Sequence, residues 1–211
     1  MSGMEHALLL VDLQNDFMPF GSLPVAEGDA VVHVANTLMP HYDLVVATQD
    51  WHPASHGSFA SNHPGKRPGD HVQLGGVDQV LWPDHCVQDS PGASFHSGLD
   101  VGPIAHVVHK GTDPGIDSYS TFFDNHHLRS TGLESYLCDR GVARLTLVGL
   151  ATDYCVLYSV RDAVELGFRV TVVEDGVRGV NLAPGDDQRA LVEMRERGAR
   201  VLRSEDLRRE L

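Results

Sequence analysis

The chain has 211 residues, of which 42% are apolar and 21% charged, a balance typical of one globular domain with a full hydrophobic core. Its formal net charge of −13 argues against nucleic acid or an anionic membrane surface as a partner. No apolar run is long enough to cross a bilayer and the N-terminus lacks the layout of a signal peptide, so a cytoplasmic location is expected. The three cysteines are not closely paired, which favours reduced thiols over a disulfide framework.

Short apolar runs alternate with helical patterns along the chain. Strands are predicted at 7–11, 44–48, 105–109, 144–150, 168–173 and 199–202, and helices at 29–39, 133–139, 153–166 and 185–197. A region at about 50–102, rich in Gly, Pro and His, and a second irregular stretch that ends near residue 127 interrupt this alternation. Apolar runs separated by helices predict a doubly wound α/β fold, in which a parallel sheet has helices on both faces. We therefore expect one domain, 1–211, with six parallel strands and a loop-rich insertion at about 50–102.

The carboxyl ends of the predicted strands carry chemically distinctive side chains. Asp12 lies at the tip of the first strand, Asp50 and His52 follow the second, Lys110 follows the third, and Cys155 lies in the first turn of the helix after the fourth. In open parallel sheets, ligands bind in the crevice outside the carboxyl ends of the strands. The topology thus predicts that these side chains project into one crevice. Together they supply an acid, an ammonium group, a thiol and two groups that can bind a metal.

Cys155 is predicted to be a reactive thiol rather than a buried apolar residue. Thr152 is the expected N-cap, which makes Cys155 the third residue of its helix and places it near unsatisfied N–H groups. The apolar stripe of this helix includes Val156 and Val160, and Cys155 lies roughly 100° around the helix from it. The helix N-terminus and a neighbouring ammonium both favour the thiolate form. Cys138, in a helix with an apolar face, is predicted to be buried and inert.

A metal site is predicted from the spacing of Asp50 and His52. Residues two apart in extended backbone point the same way, and His85 in the loop region could supply a third ligand. An Asp/His/His set with open positions fits Zn²⁺, and Fe²⁺ or Mn²⁺ would also fit. His56 is left open as a fourth ligand or a residue behind the ligands. Cys86 adjoins His85, and its side chain should diverge from it, so we interpret Cys86 as structural.

Several segments of the chain together resemble the nicotinamidases of the isochorismatase-like cysteine hydrolase family. They are DLQNDF near the N-terminus, TQDWHP, LWPDHCV, a lysine just after the third strand, and GLATDYCV. These motifs follow one another in the family's order and cover nearly the whole chain. The Asp–Lys–Cys set is shared by the wider superfamily, whereas the Asp-x-His pair with a later His points to the nicotinamidase branch.

The resemblance implies an amidohydrolase that converts nicotinamide to nicotinate and ammonia in NAD salvage, with pyrazinamide as a further substrate. It also implies one divalent metal ion, with Zn²⁺ favoured over Fe²⁺ or Mn²⁺, that holds the pyridine nitrogen of the substrate. The implied catalytic triad is Asp12, Lys110 and Cys155, and the implied metal ligands are Asp50, His52 and His85.

The resemblance further implies an oxyanion hole made by the backbone N–H groups of Ala151 and Cys155, with a cis peptide bond between Leu150 and Ala151. The substrate pocket that it implies is lined by Phe17, Leu23, Trp82 and Tyr119.

Two other interpretations stay open at this stage. Another amidase or a vinyl-ether hydrolase could use the same scaffold, but a substrate without a ring nitrogen would leave the Asp/His/His set unexplained. A non-catalytic module with a structural metal would not need Asp12, Lys110 and Cys155 at the crevice. The expected partner is a small-molecule substrate, with a homodimer or higher homo-oligomer left open.

Overall fold

A computed structural model describes residues 6–211. Residues 1–5 lie outside the described residues. The predicted start of the domain and the expected lack of a signal peptide concern this segment. The strands are β1 (His6–Val11), β2 (Leu44–Asp50), β3 (His71–Leu74), β4 (Val77–Val80), β5 (Ile104–Lys110), β6 (Arg144–Leu150), β7 (Arg169–Arg178) and β8 (Arg200–Leu202). The α-helices are α1 (Gly28–Leu38), α2 (Leu133–Cys138), α3 (Leu157–Glu165), α4 (Asp186–Glu196) and α5 (Ser204–Arg208).

Six parallel strands form the central sheet in the order β5–β2–β1–β6–β7–β8, which confirms the predicted fold class. Helices cover both faces: α1 and α5 pack on one side, and α2, α3 and α4 on the other. In β1, Ala7 and Leu9 face one core and Leu8 and Leu10 face the other. Because both faces are covered, this strand is apolar throughout rather than alternating. In the described part of the chain, no helix is long and apolar enough to span a membrane.

The direction of chain winding reverses beside β1. From β1 the sheet extends through β2 to β5 on one side and through β6 to β7 and β8 on the other. Such a switch point opens a crevice at the carboxyl ends of the two central strands. Asp12 leaves β1 at this crevice, and the turn Thr152–Val156 leaves β6 there.

Several elements differ from the sequence prediction. The loop-rich insertion contains an antiparallel hairpin, β3–β4, and α5 is an added short helix. Strand β7 continues to Arg178, past the polar pair Glu174 and Asp175 that ends the apolar run, because a register shift lets Val177 pair with Gly149. The helix predicted from 153 begins instead as a π turn, Thr152–Val156, ahead of α3.

Gly149 allows the two central strands to approach closely at the crevice. It pairs in register with Val11 and has a φ of +137°. A Cβ atom at this position would lie 2.1 Å from the carbonyl oxygen of Val11, which is closer than real Cβ contacts. Both the backbone conformation and the contact therefore require glycine.

We predict that Gly149→Ala lowers the free energy of unfolding by about 2 kcal/mol or more, and Tm by about 4–8 °C, because the new methyl group displaces β1 from β6. Thermal unfolding followed by circular dichroism measures this change. Gly198→Ala is the matched control, because Gly198 also has a positive φ, +99°, but nothing lies within 4 Å of its Cβ position. Equal losses of stability in the two variants would show that the close approach is not what requires glycine.

Candidate active site

The ammonium group of Lys110 lies at the centre of the site. Its Nζ is 2.8 Å from Oδ2 of Asp12 and 3.3 Å from Sγ of Cys155, and it forms an ion pair with Oδ1 of Asp50. It also donates a hydrogen bond to the carbonyl oxygen of Ser118 at 3.1 Å. Lys110 is 2% exposed, so these contacts replace its hydration. The structure thus brings the three predicted triad side chains together.

Strand register places these groups side by side. Asp50 and Lys110 are partners at the ends of β2 and β5, so their side chains leave the sheet next to each other. Asp12 directly follows β1 with a φ of +51°, and its Oδ1 accepts a hydrogen bond of 2.6 Å from the hydroxyl of Thr48 on β2. The backbone N–H of Asp12 donates to the same hydroxyl oxygen at 3.2 Å. Thr48 therefore fixes both the chain and the carboxylate at the crevice.

Burial controls the protonation of the three groups. It raises the pKa of Asp12 to about 6, although the neighbouring Lys110 ammonium opposes this shift. Burial alone would lower the pKa of Lys110, but Asp12 and Asp50 outweigh it, so the pKa lies well above its usual value and the ammonium stays charged. Burial also raises the pKa of Cys155, and Lys110 only partly offsets this. The effect of burial thus exceeds that of the ammonium, and a Cys155 nucleophile would need a base.

The turn Thr152–Val156, here called the nucleophile turn after the predicted role of Cys155, has π-helical geometry. The carbonyl oxygen of Ala151 accepts hydrogen bonds from the backbone N–H groups of Tyr154 at 3.1 Å and Val156 at 3.0 Å. In an α-helix, the carbonyl oxygen of Ala151 would accept the backbone N–H of Cys155. In this π turn it accepts the N–H groups on either side, and the N–H of Cys155 does not bond to it. Thr152 is not the N-cap, because Ala151 occupies that position. The Leu150–Ala151 peptide is cis, as the resemblance implies.

Asp50, His52 and His85 form a buried group whose ligand atoms all lie within 4.8 Å of one another. Oδ2 of Asp50 is 3.6 Å from Nε2 of His52 and 3.9 Å from Nε2 of His85. The Nδ1 atoms donate to the carbonyl oxygens of Gly111 and Pro83, each at 2.8 Å. Because a carbonyl only accepts, each ring carries its proton on Nδ1 and leaves Nε2 free. This arrangement fits an open site for one divalent metal ion.

His85 is suited to metal binding in its neutral form. Burial, with His52 nearby, lowers the pKa of His85 to about 4. The neutral imidazole is the form that binds a metal.

His56 packs against His52, and the two ring centroids are 4.3 Å apart. Its Nδ1 lies 2.7 Å from the hydroxyl oxygen and 3.2 Å from the backbone nitrogen of Ser58. Its place as a fourth ligand or behind the ligands stays a prediction. Nε2 has no hydrogen-bond partner among residues 6–211. The sequence did not indicate Asp117. One of its carboxylate oxygens lies within 4.8 Å of a ring nitrogen of His52 and of a ring nitrogen of His56.

A small cavity, partly open to solvent, joins the thiol to the metal-ligand group. Asp50, His85, Ala151 and Cys155 line it. All four predicted pocket residues also line it, namely Phe17, Leu23, Trp82 and Tyr119. The hydroxyl oxygen of Tyr119 accepts hydrogen bonds from Nε1 of Trp82 at 3.1 Å and from Nε2 of Gln79 at 2.8 Å, which fixes two aromatic walls.

Three residues of the cavity wall escaped the sequence analysis, namely Asp117, Tyr154 and Val180. Tyr154 directly precedes Cys155, so its place in the first helical turn was an available signal. Asp117 and Val180 lie on loops that no periodicity places. The other cysteines differ from each other: Cys86 is buried, as a structural residue should be, whereas Cys138 is exposed and the prediction of burial for it is wrong.

The chain is similar to known proteins over nearly its whole length. The model of the Isochorismatase domain matches residues 6–206. Nicotinamidase of Escherichia coli is 52% identical over 198 residues, which cover 92% of each chain. The solved structure of a nicotinamidase/pyrazinamidase from Acinetobacter baumannii has a TM-score of 0.93 and 42% identity, and the match covers 98% of this chain and 100% of that one.

A pyrazinamidase of Pyrococcus horikoshii, solved in complex with zinc, has a TM-score of 0.78 and 37% identity, with 94% of this chain and 99% of that one covered. The family model spans nearly the whole described chain, and the sequence and structure matches extend over comparable lengths. The chain therefore belongs to the isochorismatase family.

Proposed function

We propose that the chain hydrolyses nicotinamide to nicotinate and ammonia through a thioester on Cys155, within NAD salvage. One observation carries the proposal: Cys155 and two of the metal-ligand residues, Asp50 and His85, line a single cavity, and Lys110 contacts both Cys155 and Asp50. The similarity to nicotinamidases from E. coli and A. baumannii supports it. Pyrazinamide, which keeps a ring nitrogen and a carboxamide, is the proposed second substrate.

Asp50, His52 and His85 would hold one divalent metal ion, and the zinc complex of the P. horikoshii relative supports Zn²⁺ over Fe²⁺ or Mn²⁺. Such an ion supplies a Lewis-acidic contact for the pyridine nitrogen of the substrate. The aromatic walls Phe17 and Trp82 would then pack against the ring and leave the carboxamide facing Cys155.

The first half of the reaction is acyl transfer to the thiol. Asp12 takes the proton of Cys155, and the sulfur forms a bond to the carboxamide carbon while the carbonyl electrons move to oxygen. The backbone N–H groups of Ala151 and Cys155 are proposed to stabilise that oxyanion. When the intermediate collapses, Asp12 returns its proton to the leaving nitrogen and ammonia departs.

The second half hydrolyses the thioester. Asp12, now a carboxylate again, removes a proton from the attacking water, and the Cys155 sulfur leaves and regains that proton. Lys110 stays charged throughout, because two carboxylates hold its pKa well above the usual value. It stabilises the transient thiolate and keeps Asp12 within reach.

A related amidase with another substrate is the nearest alternative. Its substrate would need no metal-binding ring nitrogen, so the buried Asp/His/His group at the cavity favours nicotinamide. Ammonia release from nicotinamide and from aliphatic amides, measured side by side, tests the choice. Equal or greater activity on the aliphatic amides would contradict the proposal.

We predict that Cys155→Ala lowers kcat about 1,000-fold or more, because no other group in the cavity replaces the thiol. Binding of nicotinamide, measured by calorimetry, should remain. Cys138→Ala is the matched control, since Cys138 is an exposed cysteine away from the cavity. Activity of Cys155→Ala above a tenth of the wild-type value would refute the nucleophile assignment.

Metal content should depend on the predicted ligands. We expect His85→Ala to lose bound metal and to raise KM or abolish turnover, whereas His71→Ala, at an exposed histidine, should keep both. Elemental analysis of the purified variants, with kinetics before and after chelation, measures the effect. An unchanged KM in chelated, metal-free protein would contradict the role of the metal.

The rate should depend on the protonation of Asp12. Because burial raises the pKa of Asp12 to about 6, this carboxyl is the required base above that pH and is protonated below it. We therefore expect kcat/KM of the metal-loaded enzyme to fall as pH decreases through about 6, approaching tenfold per pH unit. A flat profile between pH 7 and 5, in protein shown to stay folded, would contradict this assignment.

A further inference from the structure

Asp153 connects the nucleophile turn to a distant loop. It lies two residues before Cys155, and its side chain is buried without lining the cavity. Its Oδ1 accepts the backbone N–H of Val180 at 2.9 Å, and its Oδ2 accepts that of Asn181 at 2.7 Å. One carboxylate thus satisfies two consecutive N–H groups of the loop between β7 and α4.

The same loop is held from its other side as well. Asn181 has a φ of +55°, and its Oδ1 accepts the backbone N–H of Asp187 in the first turn of α4 at 3.0 Å. A Cβ atom on Gly179 would lie 2.6 Å from Cβ of Asp187 and 3.3 Å from Oδ1 of Asp153. The loop therefore has little room to shift while the Asp153 carboxylate is in place.

Val180 is the part of this loop that reaches the cavity. It lines the cavity together with Ala151 and Cys155, and it packs against the apolar cluster that contains Phe17 and Ala151. A movement of its backbone would open the wall beside the thiol.

We propose that Asp153 is a positioning residue that holds Val180 as a wall of the substrate cavity, an inference that rests on the proposed function. The carboxylate is needed because its two oxygens accept both N–H groups. An asparagine at 153 has one acceptor and would turn its own N–H₂ donor toward the second backbone N–H group. One buried hydrogen bond is then lost and the loop is released on one side.

Asp175 offers a matched control. It lies on β7, and its carboxylate likewise accepts two hydrogen bonds, from the backbone N–H of Ser204 at 2.7 Å and from the Ser204 hydroxyl at 2.6 Å. It holds the start of α5 and is not among the residues that line the cavity. Asp175→Asn therefore makes the same substitution at a carboxylate with two hydrogen bonds without touching the proposed wall; the Ser204 hydroxyl can turn to accept from the new amide.

Steady-state kinetics with nicotinamide and the metal-loaded enzyme provide the first test. We expect Asp153→Asn to raise KM about fivefold or more, as for the loss of one buried hydrogen bond, and to change kcat by less than about threefold. Asp175→Asn should leave both KM and kcat unchanged. A general loss of stability would not produce this split between KM and kcat.

The second test does not depend on the activity. Wild-type and variant proteins are treated with iodoacetamide, and mass spectrometry follows alkylation of Cys155 relative to exposed Cys138 in the same chain. We expect Asp153→Asn to raise this ratio of rates at least about threefold, because the wall beside the thiol opens. Asp175→Asn should leave the ratio unchanged.

Val180→Ala keeps the inference testable if Asp153→Asn does not fold. It shortens the wall itself, so KM and the alkylation ratio should both rise. Unchanged values of both in a folded Asp153→Asn or Val180→Ala protein would overturn the inference. If the wild-type enzyme releases no ammonia from nicotinamide, the proposed function fails, while the alkylation ratio still decides the role of Asp153.

Discussion

The buried ammonium of Lys110 is the interaction on which the site depends. Removal of a charged group from water is costly unless opposite charges and hydrogen bonds compensate for it. Asp12 and Asp50 supply two carboxylates, and the carbonyl oxygen of Ser118 supplies a third acceptor. Loss of either carboxylate would leave buried charge poorly paired. Because Lys110 contacts Cys155 as well, the thiol, the Asp12 carboxylate and Asp50 of the metal-ligand group form one electrostatic unit.

The parallel sheet explains why these groups meet. Asp50 and Lys110 are register partners, and Asp12 and the nucleophile turn leave the two central strands on either side of the switch point. The close approach at Gly149 brings the ends of β1 and β6 together. Side chains from four distant parts of the sequence therefore converge without any long loop having to fold over them. The loops add the walls of the cavity, and these walls need their own supports, such as the Asp153 carboxylate.

The residues at strand ends could be predicted because topology alone places them. Asp12, Asp50, Lys110 and Cys155 meet wherever six such runs form a parallel sheet, and the family motifs added the aromatic walls. Features that depend on distant contacts could not be predicted in this way. The extension of β7 follows from a register shift against β6, and the place of Val180 follows from hydrogen bonds to a side chain 27 residues away. The π turn replaces an α-helical bond at Ala151, which no apolar period signals.

The protonation state of Cys155 shows how burial changes the chemistry that a motif suggests. A helix N-terminus and an ammonium favour thiolate, yet burial in this cavity outweighs them and keeps the thiol protonated. The same burial raises the pKa of Asp12 to about 6, which makes it a stronger base than an ordinary carboxylate. Once protonated, Asp12 is also a weaker acid than usual, which suits the proposed transfer of its proton to the leaving nitrogen. Burial of this one carboxyl would thus serve both the acid and the base steps of the proposed reaction at near-neutral pH.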